Sequence, residues 1–149
     1  MPALRTLLFP LSIALGAATL TSAASAQSSA PEIFRPLDPA ATDLSGYRWD
    51  KRVVLLFGAG EDDSTYAATR DQLAAVVPAL RDRDIVVLTD TAPERQGAIR
   101  QGLEIDGFAM VLVGKDGGVK LKSAEPVSPD ALFGTIDAMP MRRNEMRGG

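Results

Sequence analysis

The segment from Asp106 to Leu121 constrains the fold of this chain more than any other. An uninterrupted apolar run, Phe108 to Val113, is followed by Lys115-Asp116-Gly117-Gly118 and then by Val119-Lys120-Leu121-Lys122. Asp-Gly favours a type I′ turn because both residues tolerate positive φ angles. We therefore predict a β-hairpin. Its first strand is expected to be buried on both faces, and its return strand, which alternates apolar residues with lysines, to lie at or near a sheet edge.

Two further apolar runs, Val53 to Phe57 and Ile85 to Thr89, have the β-branched composition of strands that are covered on both faces. Between them, residues from Thr65 to Leu80 show apolar side chains at helical spacing, and Asp63 or Ser64 is expected to cap this helix. A strand, a helix and a second strand predict two parallel strands joined by a right-handed crossover.

Two more helices are expected after the second strand. Thr91-Ala92-Pro93-Glu94 has the pattern of a capping box with proline in the first turn, which predicts a short helix that ends near Gln101. Ser128-Pro129-Asp130 predicts the start of a last helix, which Pro140 ends. The order is then β-α-β-α-β-β-α. We therefore predict an α/β, thioredoxin-like fold with a four-stranded mixed sheet flanked by helices.

The first 26 residues have the pattern of a signal peptide. Arg5 supplies the positive charge, Leu7 to Leu20 form a short apolar stretch, and Ala24-Ser25-Ala26 is a pattern that signal peptidases accept. We expect cleavage after Ala26 and export to the periplasm or secretion. The apolar stretch is too short to hold the protein stably in a bilayer, so no stable membrane anchor is expected.

The rest of the chain is expected to form one domain. Residues 27–43 are rich in proline and serine and predict a flexible leader. Residues 44–146 are assigned to the thioredoxin-like domain, and residues 147–149 to a disordered tail. A chain of this length needs only one hydrophobic core.

Cysteine and histidine are both absent from the sequence. Thiol redox chemistry, haem ligation, typical zinc sites and histidine-based catalytic triads all require one of these two residue types. The net charge of −3 gives no electrostatic reason to bind nucleic acid or anionic lipid. These classes of function are therefore not expected.

Three stretches carry a resemblance to a known family. They are Leu44-x-x-Tyr47-x-Trp49-x-x-Arg52, Gly114-Lys115-Asp116-Gly117-Gly118-Val119-Lys120-Leu121 and Ile136-Asp137-Ala138-Met139-Pro140-Met141-Arg142-Arg143. In these motifs, over about Asp43 to Met146, the chain resembles the bacterial secreted family called domain of unknown function 4174. The resemblance implies a thioredoxin-like fold and an exported protein. It implies no particular activity.

A thioredoxin-like fold would place the redox motif near Asp62-Asp63-Ser64-Thr65, where no cysteine stands. The proline that thioredoxins keep beside that motif would fall near Phe108 or Ala109, where there is none. A redox role therefore fails at both required positions.

Four carboxylates are candidates for a divalent-cation site or for acid–base chemistry. Glu61, Asp62 and Asp63 follow the first predicted strand, and Asp90 follows the second. Parallel strands end at the same edge of a sheet, and oxygen ligands suit calcium or magnesium. These residues also have the composition of helix caps and solvated loops, which is the interpretation we favour.

Aromatic and basic residues offer further candidate surfaces. Tyr47 and Trp49 form either an exposed recognition patch or, as we expect, a cap on the edge of the core. Lys115, Lys120 and Lys122 form either a basic binding strip or, as we expect, the charges that protect an edge strand from unwanted pairing.

The sequence thus favours an exported, non-redox and non-enzymatic binding module, with no catalytic residue and no cofactor. Its expected partner is an unknown protein or envelope component, and not nucleic acid. The alternative is a divalent-cation-dependent protein or an acid–base enzyme that uses the carboxylates at the carboxyl ends of the parallel strands.

Overall fold

The computed structural model describes residues 32–148. The predicted signal peptide and the beginning of the predicted leader lie outside the described residues. Five strands are present: β1 (Phe34–Pro36), β2 (Arg52–Phe57), β3 (Ile85–Asp90), β4 (Ala109–Val113) and β5 (Val119–Ser123). The helices are α1 (Ser64–Ala74), α2 (Val77–Asp82), α3 (Ala98–Gly102), α4 (Pro129–Asp137) and α5 (Pro140–Gly148), with 3₁₀ turns at Ser45–Tyr47 and Pro93–Arg95. None of the helices in this part of the chain is long and apolar enough to cross a bilayer.

The strands form one mixed sheet in the order β1-β3-β2-β4-β5. Strands β1 and β2 both run parallel to β3, whereas β4 runs antiparallel to β2 and to β5. In the centre of the sheet, Val54 is opposite Val87 on one side and Leu112 on the other. The mixed α/β architecture is confirmed.

The sheet has five strands and not the predicted four, because β1 pairs with the outer edge of β3. Phe34 is opposite Val87 in this pairing, and the amide of Leu37 donates to the carbonyl of Thr89 at 2.8 Å. The prolines that predict a flexible leader are compatible with this position, since Pro36 lies on an edge strand where a missing N–H is tolerated. Part of the predicted leader is therefore a strand of the sheet.

The core has two halves, one on each face of the sheet. Alternate residues of β2 contribute to each, Val54 and Leu56 on one face and Val53, Leu55 and Phe57 on the other. Helices α1, α2 and α4 cover the first face, and α3 with the segment before β2 covers the second. The predicted burial of β2 and β4 on both faces is confirmed, since all residues of these strands are buried.

The predicted hairpin is β4 and β5, and β5 lies at the sheet edge as expected. The turn is not type I′, because Gly117, with a φ of +83°, is the only residue of the turn in the left-handed region. Gly117 donates to the carbonyl of Gly114, and Gly114 donates to Gly118, both at 2.9 Å. The loop therefore has three residues, with glycine at the position that requires a positive φ.

Three helix predictions are corrected. The predicted helix from Thr65 to Leu80 is two helices, because Pro78 has no N–H and its ring clashes with a continuous helix. The segment after Thr91 forms a 3₁₀ turn and then α3, and no side chain caps either of them.

At the carboxyl terminus, the helix predicted to end at Pro140 ends at Asp137, and Pro140 begins a further helix that was not predicted. In the first turn of α5 its missing N–H costs no hydrogen bond. The predicted disordered tail began at Arg147, but Arg147 and Gly148 belong to α5.

Candidate functional site

Two ends of the sheet contain polar side chains. The carboxyl edge, where β2 and β3 end, consists of the segment Gly58–Thr65 together with Asp90 and Arg100. The hairpin pole, at the opposite end, consists of the segments Tyr47–Arg52, Gly114–Lys120 and Met139–Glu145. The carboxyl edge is where a thioredoxin-like protein would keep its redox motif.

At the carboxyl edge, Asp63 caps helix α1. Its Oδ1 accepts from the backbone amides of Thr65 and Tyr66 at 2.9 and 3.1 Å, and its Oδ2 accepts from the amide of Ala59 at 2.8 Å. These hydrogen bonds, that from Ala59 foremost, lower the pKa of the Asp63 carboxyl below its ordinary value. The predicted N-cap is confirmed.

Asp90 is paired with a buried arginine that the sequence interpretation missed. The Nε of Arg100 donates to Oδ2 of Asp90 at 2.9 Å, and its Nη2 donates to the carbonyls of Gly58 and Asp90 at 3.0 Å. Its guanidinium lies over the ring of Phe57, 5.0 Å from the centroid. Arg100 is only 3% exposed, so its buried guanidinium covers the carboxyl ends of β2 and β3.

The four candidate carboxylates therefore have separate environments. Glu61 and Asp62 are exposed, Asp63 caps a helix, and Asp90 binds Arg100. Among residues 32–148, no three acidic side chains lie close enough together to hold a metal ion. The structure does not bring the predicted cation ligands together.

The hairpin pole is organised around Arg52, the first residue of β2, which is 1% exposed. Its Nη1 donates to the carbonyl of Arg83 at 2.9 Å, and Nη1 and Nη2 donate to the two carboxylate oxygens of Glu145 at 3.2 and 3.1 Å. Lys115 donates to Glu145 and to Asp84, both at 2.8 Å. Glu145, from the last helix, thus receives hydrogen bonds from two cations that belong to the sheet.

These contacts shift the pKa values of Glu145 and Lys115. Burial alone raises the pKa of Glu145, but the hydrogen bonds from Arg52 and Lys115 outweigh it and hold that pKa below its ordinary value. Burial likewise lowers the pKa of Lys115, yet Asp84 and Glu145 raise it above its ordinary value. Both groups are ionised at neutral pH.

A second set of ion pairs fixes the start of α5. Arg142, the only described residue of α5 that is buried, donates to the carbonyl of Asp82 at 2.9 Å, to the Asp82 carboxylate, and to Asp137 at 3.3 Å. Arg83 binds the same Asp137 through two hydrogen bonds of 3.0 and 2.7 Å, and its guanidinium stacks on Phe133. Hydrogen bonding by Arg83 is the main reason why the pKa of Asp137 is lowered.

The two aromatic residues before β2 have different environments. Tyr47 is half-buried against the core, as predicted. Trp49 is not, because its side chain is 65% exposed. Its φ of +67° lies in the left-handed region, which is rare for a bulky residue. Its amide donates to the carbonyl of Lys115 at 2.6 Å, which fixes Trp49 at the hairpin.

The lysines of the hairpin do not form one strip. Lys115 is turned inward to Asp84 and Glu145, and Lys122 donates to the carbonyl of Leu103. Lys120 lies over Gly114 and donates to Asp116 at 2.7 Å. Of the three, Lys115 and Lys120 line a cleft.

This cleft, called here the methionine cleft, has a volume of about 340 Å³. Its polar walls come from Arg52, Lys115, Asp116 and Lys120, and its apolar wall comes from Met139–Met141. The sequence analysis did not predict this cleft.

Known structures support the fold. A reduced 2-Cys peroxiredoxin from Plasmodium vivax is 16% identical, with a TM-score of 0.54, and the match covers 69% of this chain and 84% of that one. A malarial protein is 12% identical, with a TM-score of 0.50 and coverage of 58% and 94%. At this identity the likeness shows the fold alone, which is thioredoxin-like. No curated protein matches the sequence.

The family model of the domain of unknown function DUF4174 matches residues 43–145. The match includes the whole hairpin pole and the carboxyl edge, and it confirms the resemblance seen in the three motifs. The sequence has no cysteine, so the thioredoxin-like fold is present here without redox thiols. The chain belongs to the DUF4174 family.

Proposed function

We propose that this chain is an exported binding module, without redox or other enzymatic activity, that contacts a protein partner through its hairpin pole. Export is supported by the signal-peptide pattern of residues 1–26. The acidic net charge supports a partner other than nucleic acid. A protein of the cell envelope is the kind of partner that an exported module meets.

The observation that carries the proposal is the state of Trp49. A tryptophan that is 65% exposed leaves a large apolar surface in water, and its left-handed backbone adds strain. The hydrogen bond to Lys115 holds this arrangement in place. Fixed, exposed tryptophans are enriched among the residues that dominate protein–protein binding energy.

The positions of the three family motifs also support the hairpin pole as the binding surface. All three stretches that carry the resemblance end at the hairpin pole, where Trp49, Lys115 and Arg142 lie. The carboxyl edge, by contrast, is closed by the pair of Asp90 and Arg100. Binding at the hairpin pole therefore needs no opening of the core.

The test is a peptide-display selection against the chain from Gln27 to Gly149. Trp49 is the only tryptophan, so its fluorescence reports binding at this site without a label. We expect selected peptides to shift this fluorescence and to bind Trp49→Ala at least about thirtyfold more weakly, which is typical of a binding hot spot.

Two variants control the test. Trp49→Phe keeps an aromatic ring and should retain most of the affinity, while Gln72→Ala on the exposed face of α1 should retain all of it. A selection whose peptides bind Trp49→Ala as tightly as the unmodified chain would overturn the proposal, and so would a selection that enriches no peptide.

A further inference from the structure

We infer that the methionine cleft binds a carboxylate carried on an apolar arm, which is the chemistry of a peptide C-terminus and of a fatty acid. The inference rests on the proposed function, since it assigns a ligand class to the same hairpin pole. It is carried by the free donors of Lys120, by an unpaired donor of Arg52 and by the apolar wall.

The cleft has more cationic than anionic groups in its lining. Arg52, Lys115 and Lys120 contribute three cations and Asp116 one carboxylate, but Arg52 and Lys115 are already paired with Glu145, and Lys115 also with Asp84. Lys120 has three N–H donors, of which one binds Asp116, so donors are left for a ligand at the mouth of the cleft. The free donors of Lys120 therefore favour a headgroup that accepts hydrogen bonds, such as a carboxylate.

Arg52 supplies a second and independent indication. Its Nε is buried and has no hydrogen-bond partner among residues 32–148, although Nη1 and Nη2 are both used. Buried donors of this kind are rare, because an unmade hydrogen bond in the protein interior is costly, and the only other one among residues 32–148 is Nη1 of Arg100. Arg52, which lines the cleft, thus has hydrogen-bonding capacity that Glu145 does not satisfy.

Gly114 allows Lys120 to reach the cleft. A Cβ atom at Gly114 would lie 2.7 Å from Cε of Lys120 and 2.8 Å from Oδ1 of Asp116. Any larger residue would displace the lysine or its partner. The glycine therefore leaves the space that the side chain of Lys120 occupies in the lining of the cleft.

The opposite wall fits an apolar group. Met139 and Met141 are flexible and polarizable, so they adapt to ligands of different shape. Pro140 lies between them at the start of α5 and limits the movement of this wall. A volume of about 340 Å³ is at the lower end of the range for small-ligand pockets, which suits a short apolar arm.

The test is calorimetric titration of the chain from Gln27 to Gly149 with four probes. Decanoate and its neutral analogue decanol test the fatty-acid source. A short peptide that ends in a free leucine carboxylate, and the same peptide as its amide, test the peptide source. We expect at least one acid to bind about tenfold more tightly than its neutral analogue, because a charge-assisted hydrogen bond is lost in the analogue.

Matched variants locate the binding. Lys120→Gln should weaken the acid about tenfold, whereas Lys122→Gln, two residues along the same strand, should not. Met141→Ser should weaken it about fivefold, whereas Met146→Ser, another exposed methionine of α5, should not. All four positions are at least partly exposed in the fold, and circular dichroism checks that each variant is folded.

The inference is overturned if no acid binds at millimolar concentration, if the neutral analogues bind as tightly, or if the control variants weaken binding as much as the cleft variants. Its failure is distinct from failure of the proposed function. If peptides from the display selection still depend on Trp49 while no acid binds, the proposed function stands and the ligand class assigned to the cleft is wrong.

Discussion

Asp63 is bonded to three backbone amides, and Arg100 to two backbone carbonyls and a carboxylate. These side chains satisfy groups at the ends of α1, β2 and β3 that would otherwise lack partners. The carboxyl edge of the sheet is therefore occupied by residues with a structural role. At the hairpin pole, Trp49 and Lys120 keep exposed groups that the fold itself does not use.

The cap of α1 is open to a direct test. Asp63→Ala removes an acceptor for three amides and should lower the melting temperature by a few degrees. Asp62→Ala, one residue earlier and exposed, is the matched control and should change it very little. Thermal unfolding followed by circular dichroism measures both, and equal effects of the two variants would contradict the capping role.

Single residues were predictable where the signal is local. Asp63 could be identified as an N-cap because the helix amides that it binds, those of Thr65 and Tyr66, lie within three residues of it. The pair of Asp90 and Arg100 could not, since it depends on how α3 packs on the end of the sheet. Trp49 was assigned to the core on hydrophobicity, but its left-handed backbone and its bond to Lys115 arise from the folded hairpin.

At the scale of elements, α5 is attached to the rest of the protein by charge more than by apolar contact. Arg142 is its only buried described residue, and Glu145 contributes the carboxylate that binds Arg52 and Lys115. Removing one partner of such a network leaves the other charge buried without compensation. The stability of α5 should therefore depend on the ionisation of Glu145 and of Asp137.

Stability should fall in acid for this reason. Glu145 and Asp137 have pKa values below their ordinary 4.5 and 3.8, so the unfolded chain binds more protons than the folded chain in that range. Their contribution is complete above those ordinary values and is lost as the pH falls through the lowered, folded-state pKa values. Urea unfolding between neutral pH and about pH 3 measures this loss.

Glu145→Gln identifies the source of the effect. The variant should be about 2 kcal/mol less stable at neutral pH, and its stability should fall less steeply in acid. Glu125→Gln, at an exposed position outside the network, should behave like the unmodified chain. The same steepness in Glu145→Gln and in the unmodified chain would show that other carboxyls cause the loss.

The elements that the sequence predicted best are the strands with uninterrupted apolar runs, β2, β3 and β4. Strands that are covered on both faces have sequences made almost entirely of apolar residues, and such a run can be seen without knowledge of the fold. Helix α5 was missed because Pro140 was expected to end the last helix, and because the partner of Glu145 is 93 residues away at Arg52. Strand β1 was missed because three residues with a proline become a strand only when β3 offers an open edge.

For the whole molecule, the two ends of the sheet differ in what they leave open. The carboxyl edge, which holds the reactive thiols in redox-active relatives of this fold, is closed here by Arg100 over Phe57. The hairpin pole has the cleft and the exposed Trp49. The element order and the three motifs predicted this fold, but only the folded chain shows which end is open.

Divalent cations should not stabilise the molecule. Because Glu61 and Asp62 are exposed while Asp63 and Asp90 have other partners, millimolar Ca²⁺, Mg²⁺ or Mn²⁺ should change the melting temperature by less than about 1 °C relative to EDTA. A bound ion at about a hundred times its dissociation constant would add roughly 2.7 kcal/mol and raise it by several degrees. A rise that Asp62→Asn or Asp90→Asn abolishes would restore the cation-dependent alternative.

The link between Arg52 and Glu145 also bears on how the chain survives its own synthesis. Arg52 lies at the start of the central strand, while its carboxylate partner is made 93 residues later. A chain that stops before Glu145 has to bury the guanidinium of Arg52 without its counter-ion, or leave the start of β2 unformed. Incomplete chains are therefore expected to be more open to proteases than chains that have been extended through Glu145 in the last helix.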